Sequence, residues 1–312
     1  MQRKFITYSL LFFIPVLVGF LAVEWLTISI PSHFSVNKKY IEKSGDSIET
    51  LILGTSHLMN AVNPEWMESP TLNLASGNQF LDTDLKLYNG IREKFPSVKN
   101  VVLEISYSHF EIAPNGKDFW KNSLYYKYYD VNCFERTAYF KDRLVYLSNP
   151  SFFSERIEEY YIDKKNIPSF NEYGFNSNDG YGQFTKQNYN KVKIDTIKRF
   201  RINIEPNLNL FETNVATLFK LLDSLKKQNK NVVISATPMY LTFLKKRNPE
   251  ILNRRDSIFN VIQKKYPEVK FLTAETDTIH YSLKNFWNHS HLNPSGATIF
   301  TRQLESVLQS FK

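Results

Sequence analysis

The sequence predicts a three-layer α/β/α domain on a mostly parallel, five-stranded sheet, preceded by an N-terminal transmembrane helix. Three observations lead there. Five short apolar runs punctuate the 312 residues, amphipathic segments separate them, and residues 5–23 carry no charge. Alternating strand and helix signals imply a parallel sheet covered on both faces.

The N-terminal segment comes first in the chain. Arg3 and Lys4 precede nineteen uncharged residues, and Glu24 ends the run. As a helix this stretch spans roughly 28 Å, about the hydrocarbon thickness of a bilayer. Trp25 suits the membrane interface, and the flanking charges favour a cytoplasmic N-terminus with an extracytoplasmic body. An uncleaved anchor over residues 1–30 is favoured over a signal peptide cleaved near Ala22. Residues 31–49, with Pro31, Ser32, Lys38, Lys39 and Gly45, are expected to be a linker, and the domain to cover 50–312.

Residues 50–54 (TLILG) are the first strand, feeding a loop, and 71–75 (TLNLA) the second. Leu85, Tyr88, Ile91 and Phe95 recur at helical spacing before Pro96, and 100–106 (NVVLEIS) opens with β-branched strand formers. Leu218, Leu221, Leu222 and Leu225 make one face of a helix over 210–228. A strand over 231–237, a helix over 249–266 and a strand over 269–273 follow. The last helix, 294–311, starts at Pro294 with Asn293 as its cap. This order fits a flavodoxin-like sheet, which places ligands at the carboxyl ends of its strands. Between the third and fourth strands lies an insertion, about 107–205, crowded with aromatics. Three readings stay open for it: a helical subdomain, a lid or glycan-binding surface, and a membrane-surface contact.

Charge and cysteine content narrow the function. The net charge of +8 comes from basic residues scattered among acidic ones, which argues for solvated helix faces and against a nucleic-acid stripe. Cys133 is the lone cysteine, which excludes an intramolecular disulfide and multi-cysteine metal sites.

Two motifs carry chemistry. Gly54-Thr55-Ser56-His57 directly follows the first strand, putting a hydroxyl at the carboxyl edge of the sheet. Serine needs a base within hydrogen-bond reach, and Asn288-His289-Ser290-His291, before the final helix, offers one. Each motif alone is commonplace in turns and loops; their order and placement are what distinguish them. His57, His289 and His291 also raise the question of a metal, but no nearby carboxylate or cysteine completes a ligand set, and none is expected.

On these motifs the chain resembles the SGNH/GDSL hydrolase superfamily over roughly 50–106 and 207–312. The resemblance implies Ser56 as nucleophile, His291 as base and Asn288 where the family has its acidic residue. It further implies Gly77, in Asn73-Leu74-Ala75-Ser76-Gly77-Asn78, as a backbone oxyanion donor, with Asn78 as a substitute side-chain donor. The family's Gly-x-Asn-Asp block is missing; Glu104-Ile105-Ser106-Tyr107-Ser108 stands in its place, and Asn178-Asp179 lies too far downstream to repair it. Asp277 is an alternative acid. The anchored form is similar to proteins of polysaccharide and cell-wall O-acylation. That likeness implies an acyl-enzyme at Ser56, a cell-envelope glycan or acyl-donor substrate, a multispanning membrane acyltransferase as partner, and no cofactor. The alternative it leaves is an inactive protein of this fold that binds glycan or a membrane partner.

Overall fold

The computed structural model describes residues 2–197 and 200–311. Five strands, β1 (Thr50–Leu53), β2 (Thr71–Asn73), β3 (Asn100–Glu104), β4 (Asn231–Ala236) and β5 (Lys270–Thr273), form one sheet in the order β2-β1-β3-β4-β5. Every neighbouring pair is parallel. The predicted fold class is the observed one.

Alternation along the strands explains the layers. Leu51, Leu53, Val101, Leu103, Val232 and Ile234 point to one face, onto α4 (Leu81–Ile91), α5 (Leu208–Lys227) and α6 (Pro249–Lys265). Their neighbours Ile52, Val102 and Val233 point to the other, onto α3 (Ser56–Ala61) and α7 (Pro294–Gln309). A side-chain period of 2 in strands buried on both faces requires this arrangement.

The N-terminal helix α1 runs from Gln2 to Ser29, without a break at Ala22, and is long and apolar enough to cross a membrane. Its far end is fastened to the domain. Glu24 is buried, and its two carboxylate oxygens accept the Val145 and Tyr146 N–H groups at 2.8 Å each.

The expected linker at 31–49 needs correction. It contains α2 (His33–Ser44), started by a reciprocal Ser32–Ser35 capping box. Phe34, Asn37 and Tyr40 share one buried face. Phe34 packs against Tyr125, Tyr128 and Tyr129, so the aromatics of the insertion close over α2. The polar and charged residues of this segment, which read as linker, occupy the opposite face of a docked helix. Among the described residues the insertion consists of short helical segments and loops, Val145–Ser148 and Pro150–Ile157 among the helices, with an isolated bridge between Phe170 and Asn176.

Candidate active site

The chain passes from β1 outward to β2 and then crosses back to β3. A crevice opens at that reversal, beyond the carboxyl ends of the central strands. Ser56 follows β1 there, Glu104 ends β3, and His291 lies in the loop before α7. That loop is pinched by a Phe286–Leu292 bridge and a hydrogen bond from Trp287 N to His291 O (2.9 Å).

Ser56 Oγ lies 2.8 Å from His291 Nε2. The tautomer follows from the next contact. Asn288 Oδ1 accepts the backbone N–H of Ser290 (2.9 Å) and of His291 (3.1 Å), which identifies it as the amide oxygen. At 3.0 Å from the same oxygen, His291 Nδ1 must carry the proton, leaving the Nε2 lone pair to accept the Ser56 hydroxyl. Burial of the ring, helped by the facing His57 and opposed by Glu104, lowers the His291 pKa to about 3. A neutral imidazole is the form a general base needs.

Gly77 borders the serine: a β-carbon on it would stand 3.8 Å from Ser56 Cβ and 3.3 Å from Lys121 Nζ. Lys121 Nζ donates to Gly77 O (2.5 Å) and Ser76 Oγ (3.1 Å), which fixes the loop after β2. Burial lowers the Lys121 pKa to about 8. Among the described residues no acceptor takes the Ser56 or the Gly77 N–H. Asn78 adopts φ 59°, and its Oδ1 accepts from Arg201 at 3.0 Å.

Glu104 fills the space of the missing Asn-Asp block. It is fully buried, and it accepts Thr55 N (2.7 Å), Thr55 Oγ1 (2.9 Å) and, through Oε1, His57 Nδ1 (2.8 Å). Burial alone would raise its pKa, but His57, His109 and the Thr55 N–H together bring it down to about 2. The imidazoles of His57 and His291 lie 5.0 Å apart, centre to centre. Sequence reasoning noted Glu104 only as a departure from the expected block and missed Lys121. An acid at the end of an otherwise apolar strand is the signal that would have found Glu104.

Other residues fall elsewhere. Asp277 is bonded to His280 at 2.7 Å and does not orient His291. His289 is buried between Phe200 and Phe184. Among the described residues no group of three His, Cys, Asp or Glu side chains is arranged to hold a metal ion.

Cavities open on either side of Ser56. One of about 380 Å³ is lined by His57, Ser108, Glu111, Arg201 and Asn203 together with apolar Phe80, Ile202, Met239 and Phe243. A second cavity, of about 300 Å³, is lined by Met59, Phe170, Tyr181 and Trp287 with His33, Asn60 and Asn176, and adjoins a larger one of about 580 Å³. The two share His33, Met59, Phe170, Asn176 and Tyr181, and the larger reaches Thr27 and Ile30 at the foot of α1, with Trp120, Phe152, Lys121 and Arg156 in its wall.

Fold and site together define an α/β chain with a serine–histidine pair at the carboxyl edge of its sheet. No family model matches the sequence, and neither does any curated protein. Among solved structures it is similar to a Bacteroides fragilis protein named as an acylhydrolase, at 10% identity and a TM-score of 0.41, over 88% of this chain and 96% of that one. A Streptococcus pneumoniae protein named as a platelet activating factor shows 10% identity and a TM-score of 0.43, over 94% and 99%. The acetyl xylan esterase of the rumen bacterium Butyrivibrio proteoclasticus shows 9% identity and a TM-score of 0.36, over 85% of this chain and 64% of that one.

Proposed function

We propose that this protein is a membrane-anchored serine esterase or O-acyltransferase that carries an acyl group on Ser56 and works on cell-envelope glycan outside the membrane. The observation that supports it most is the 2.8 Å contact between Ser56 Oγ and the unprotonated Nε2 of His291. In this reading His291 removes the Ser56 proton as Oγ attacks an ester carbonyl, and the imidazolium then protonates the leaving alcohol. The Ser56 and Gly77 N–H groups, with Asn78 beside them, receive the oxyanion. The cavities on the Met59 side, the larger of which reaches the foot of α1, take the acyl donor, supplied from the membrane side by a multispanning acyltransferase. The cavity beside His57 takes the acceptor, a sugar hydroxyl or water. No cofactor enters these steps.

The test is covalent. Full-length protein in detergent micelles is treated with a fluorophosphonate and mapped by peptide mass. An adduct on Ser56 that is lost in both Ser56→Ala and His291→Ala supports the reading. The amide of Asn288, which cannot offset an imidazolium charge, favours a second reading: an inactive protein of this fold that binds glycan or a membrane acyltransferase. A folded wild-type chain whose Ser56 stays unlabelled would decide for that alternative.

A further inference from the structure

The site holds two imidazoles, and the carboxylate backs the one that does not touch the serine. His57 Nδ1 lies 2.8 Å from Glu104 Oε1. Because an ionised carboxylate only accepts, Nδ1 carries the proton, and Nε2 is the nitrogen that can exchange a proton with the cavity. The Nδ1 side of the ring is turned to the buried strand end, and the ring lines the 380 Å³ cavity beside Ser56 and His291. A carboxylate with no exposed surface is costly to bury, and Glu104 is retained within reach of two histidines, His57 and His109. As a cap for Thr55 alone, a neutral glutamine would serve. A negative charge is of use where a positive charge develops, and a proton arriving at His57 Nε2 creates one next to it.

We propose that His57, positioned by Glu104, is a second general base of this site and serves the acceptor half-reaction. The inference rests on the acyl-enzyme reading above. His291 serves formation of the acyl-enzyme. Afterwards the acceptor O–H, water or a sugar hydroxyl in the cavity that His57 lines, attacks the acyl carbon, and its proton passes to His57 Nε2. As the tetrahedral intermediate collapses, the bond from carbon to Ser56 Oγ breaks; Oγ takes its proton through His291 Nε2, 2.8 Å away, and the proton held by His57 is relayed to His291, whose ring lies 5.0 Å from it. The products are the acylated acceptor and the free serine, with both imidazoles neutral again. Dividing the work between two bases explains an amide behind His291: that ring is oriented for acylation, while the charge-stabilised ring faces the acceptor.

The experiment uses p-nitrophenyl acetate with full-length protein in micelles, comparing wild type, His57→Asn and Glu104→Gln. For His57→Asn the expected result is fluorophosphonate labelling within about threefold of wild type, a stoichiometric p-nitrophenol burst, and steady-state turnover reduced at least about a hundredfold. Intact mass should show acetyl on Ser56. Glu104→Gln, which retains a partner for the Nδ1 proton, should slow turnover less, again with acetyl-enzyme accumulating. Turnover at the wild-type rate in His57→Asn overturns the inference. Labelling and turnover falling together, with no acetyl-enzyme trapped, overturns it as well, because His57 would then only support the loop. An unlabelled wild-type Ser56 is a different failure: it removes the acyl-enzyme reading itself and this inference with it.

Discussion

Gly54 and Glu104 are packed so closely that a β-carbon on residue 54 would stand 2.6 Å from Glu104 Cβ and 2.9 Å from its Oε2. Gly54 also has φ +147°, a conformation side chains rarely adopt. The glycine before the Thr-Ser-His block therefore makes room for the buried acid that holds Thr55 and His57. Gly54→Ala should lower stability by about 3 kcal/mol, combining backbone strain with overpacking. Because the displaced Glu104 also holds Thr55 N and Oγ1, next to Ser56, the serine loop should shift and Ser56 labelling should slow at least about tenfold. Urea unfolding followed by tryptophan fluorescence checks the first effect, and labelling below the transition checks the second.

Asn288 offers a second prediction. Its amide oxygen orients His291 and fixes the tautomer, but leaves the incoming proton's charge uncompensated. Asn288→Asp places a carboxylate at the same atom, which stabilises the imidazolium and raises the His291 pKa from about 3. Ser56 labelling near neutral pH should rise about tenfold, and its acidic limb should move to higher pH. Asn288→Ala, which deprives two backbone N–H groups and the ring of their acceptor, should slow labelling about a hundredfold. Labelling rates from pH 4 to 8 for the three proteins test both directions.

Glu24 fastens the N-terminal helix to the domain through one side chain. Glu24→Ala would leave the buried Val145 N–H and its neighbour at Tyr146 without acceptors, a loss of about 2 kcal/mol for hydrogen bonds to a charged group. Local opening at 145–148 should then increase about thirtyfold, read by amide hydrogen exchange in micelles. Glu24→Gln keeps one accepting oxygen and should fall between.

The sheet was legible because its strands obey a simple rule: apolar, four to six residues for the most part, and bounded by turns. Ser56 and His291 were legible because each lies directly beside a strand or helix end. The reading failed where one residue serves two surfaces. Lys38 and Lys39 made 31–49 look like a tether, whereas Phe34 and Tyr40 on the same short helix seat it on aromatics more than ninety residues away, an association no local pattern carries. Lys121 was unreadable for the same reason. It lies in the insertion, and only the fold brings its Nζ to Gly77 O.

The titration of buried groups gives the last prediction. Burial is the first cause in each of four histidines with lowered pKa values: His33 and His291 to about 3, His109 and His289 to about 4. In the unfolded chain histidines titrate near 6.5. Below that pH unfolding takes up protons the folded chain does not hold, so their contribution is complete above about 6.5 and is lost as the pH falls. Asp84 has the opposite sign. Burial raises its pKa to about 8, so from about pH 4 to 8 the folded chain retains a proton that the unfolded chain releases, and stability declines as the pH rises. Four histidines against one carboxyl keep stability rising through pH 6.5 and place the maximum near pH 7. Below it the histidines dominate; above it Asp84 gives a shallow decline, which Lys121, lowered to about 8, opposes as the pH nears 8. Asp84→Asn removes only the second effect: the variant should gain stability at pH 7.5, lose the alkaline decline, and fall more steeply than wild type toward pH 5. Urea midpoints of both proteins at pH 5, 6.5 and 8 test this. A midpoint for Asp84→Asn that tracks wild type at all three values would mean that Asp84 is ionised in the folded chain.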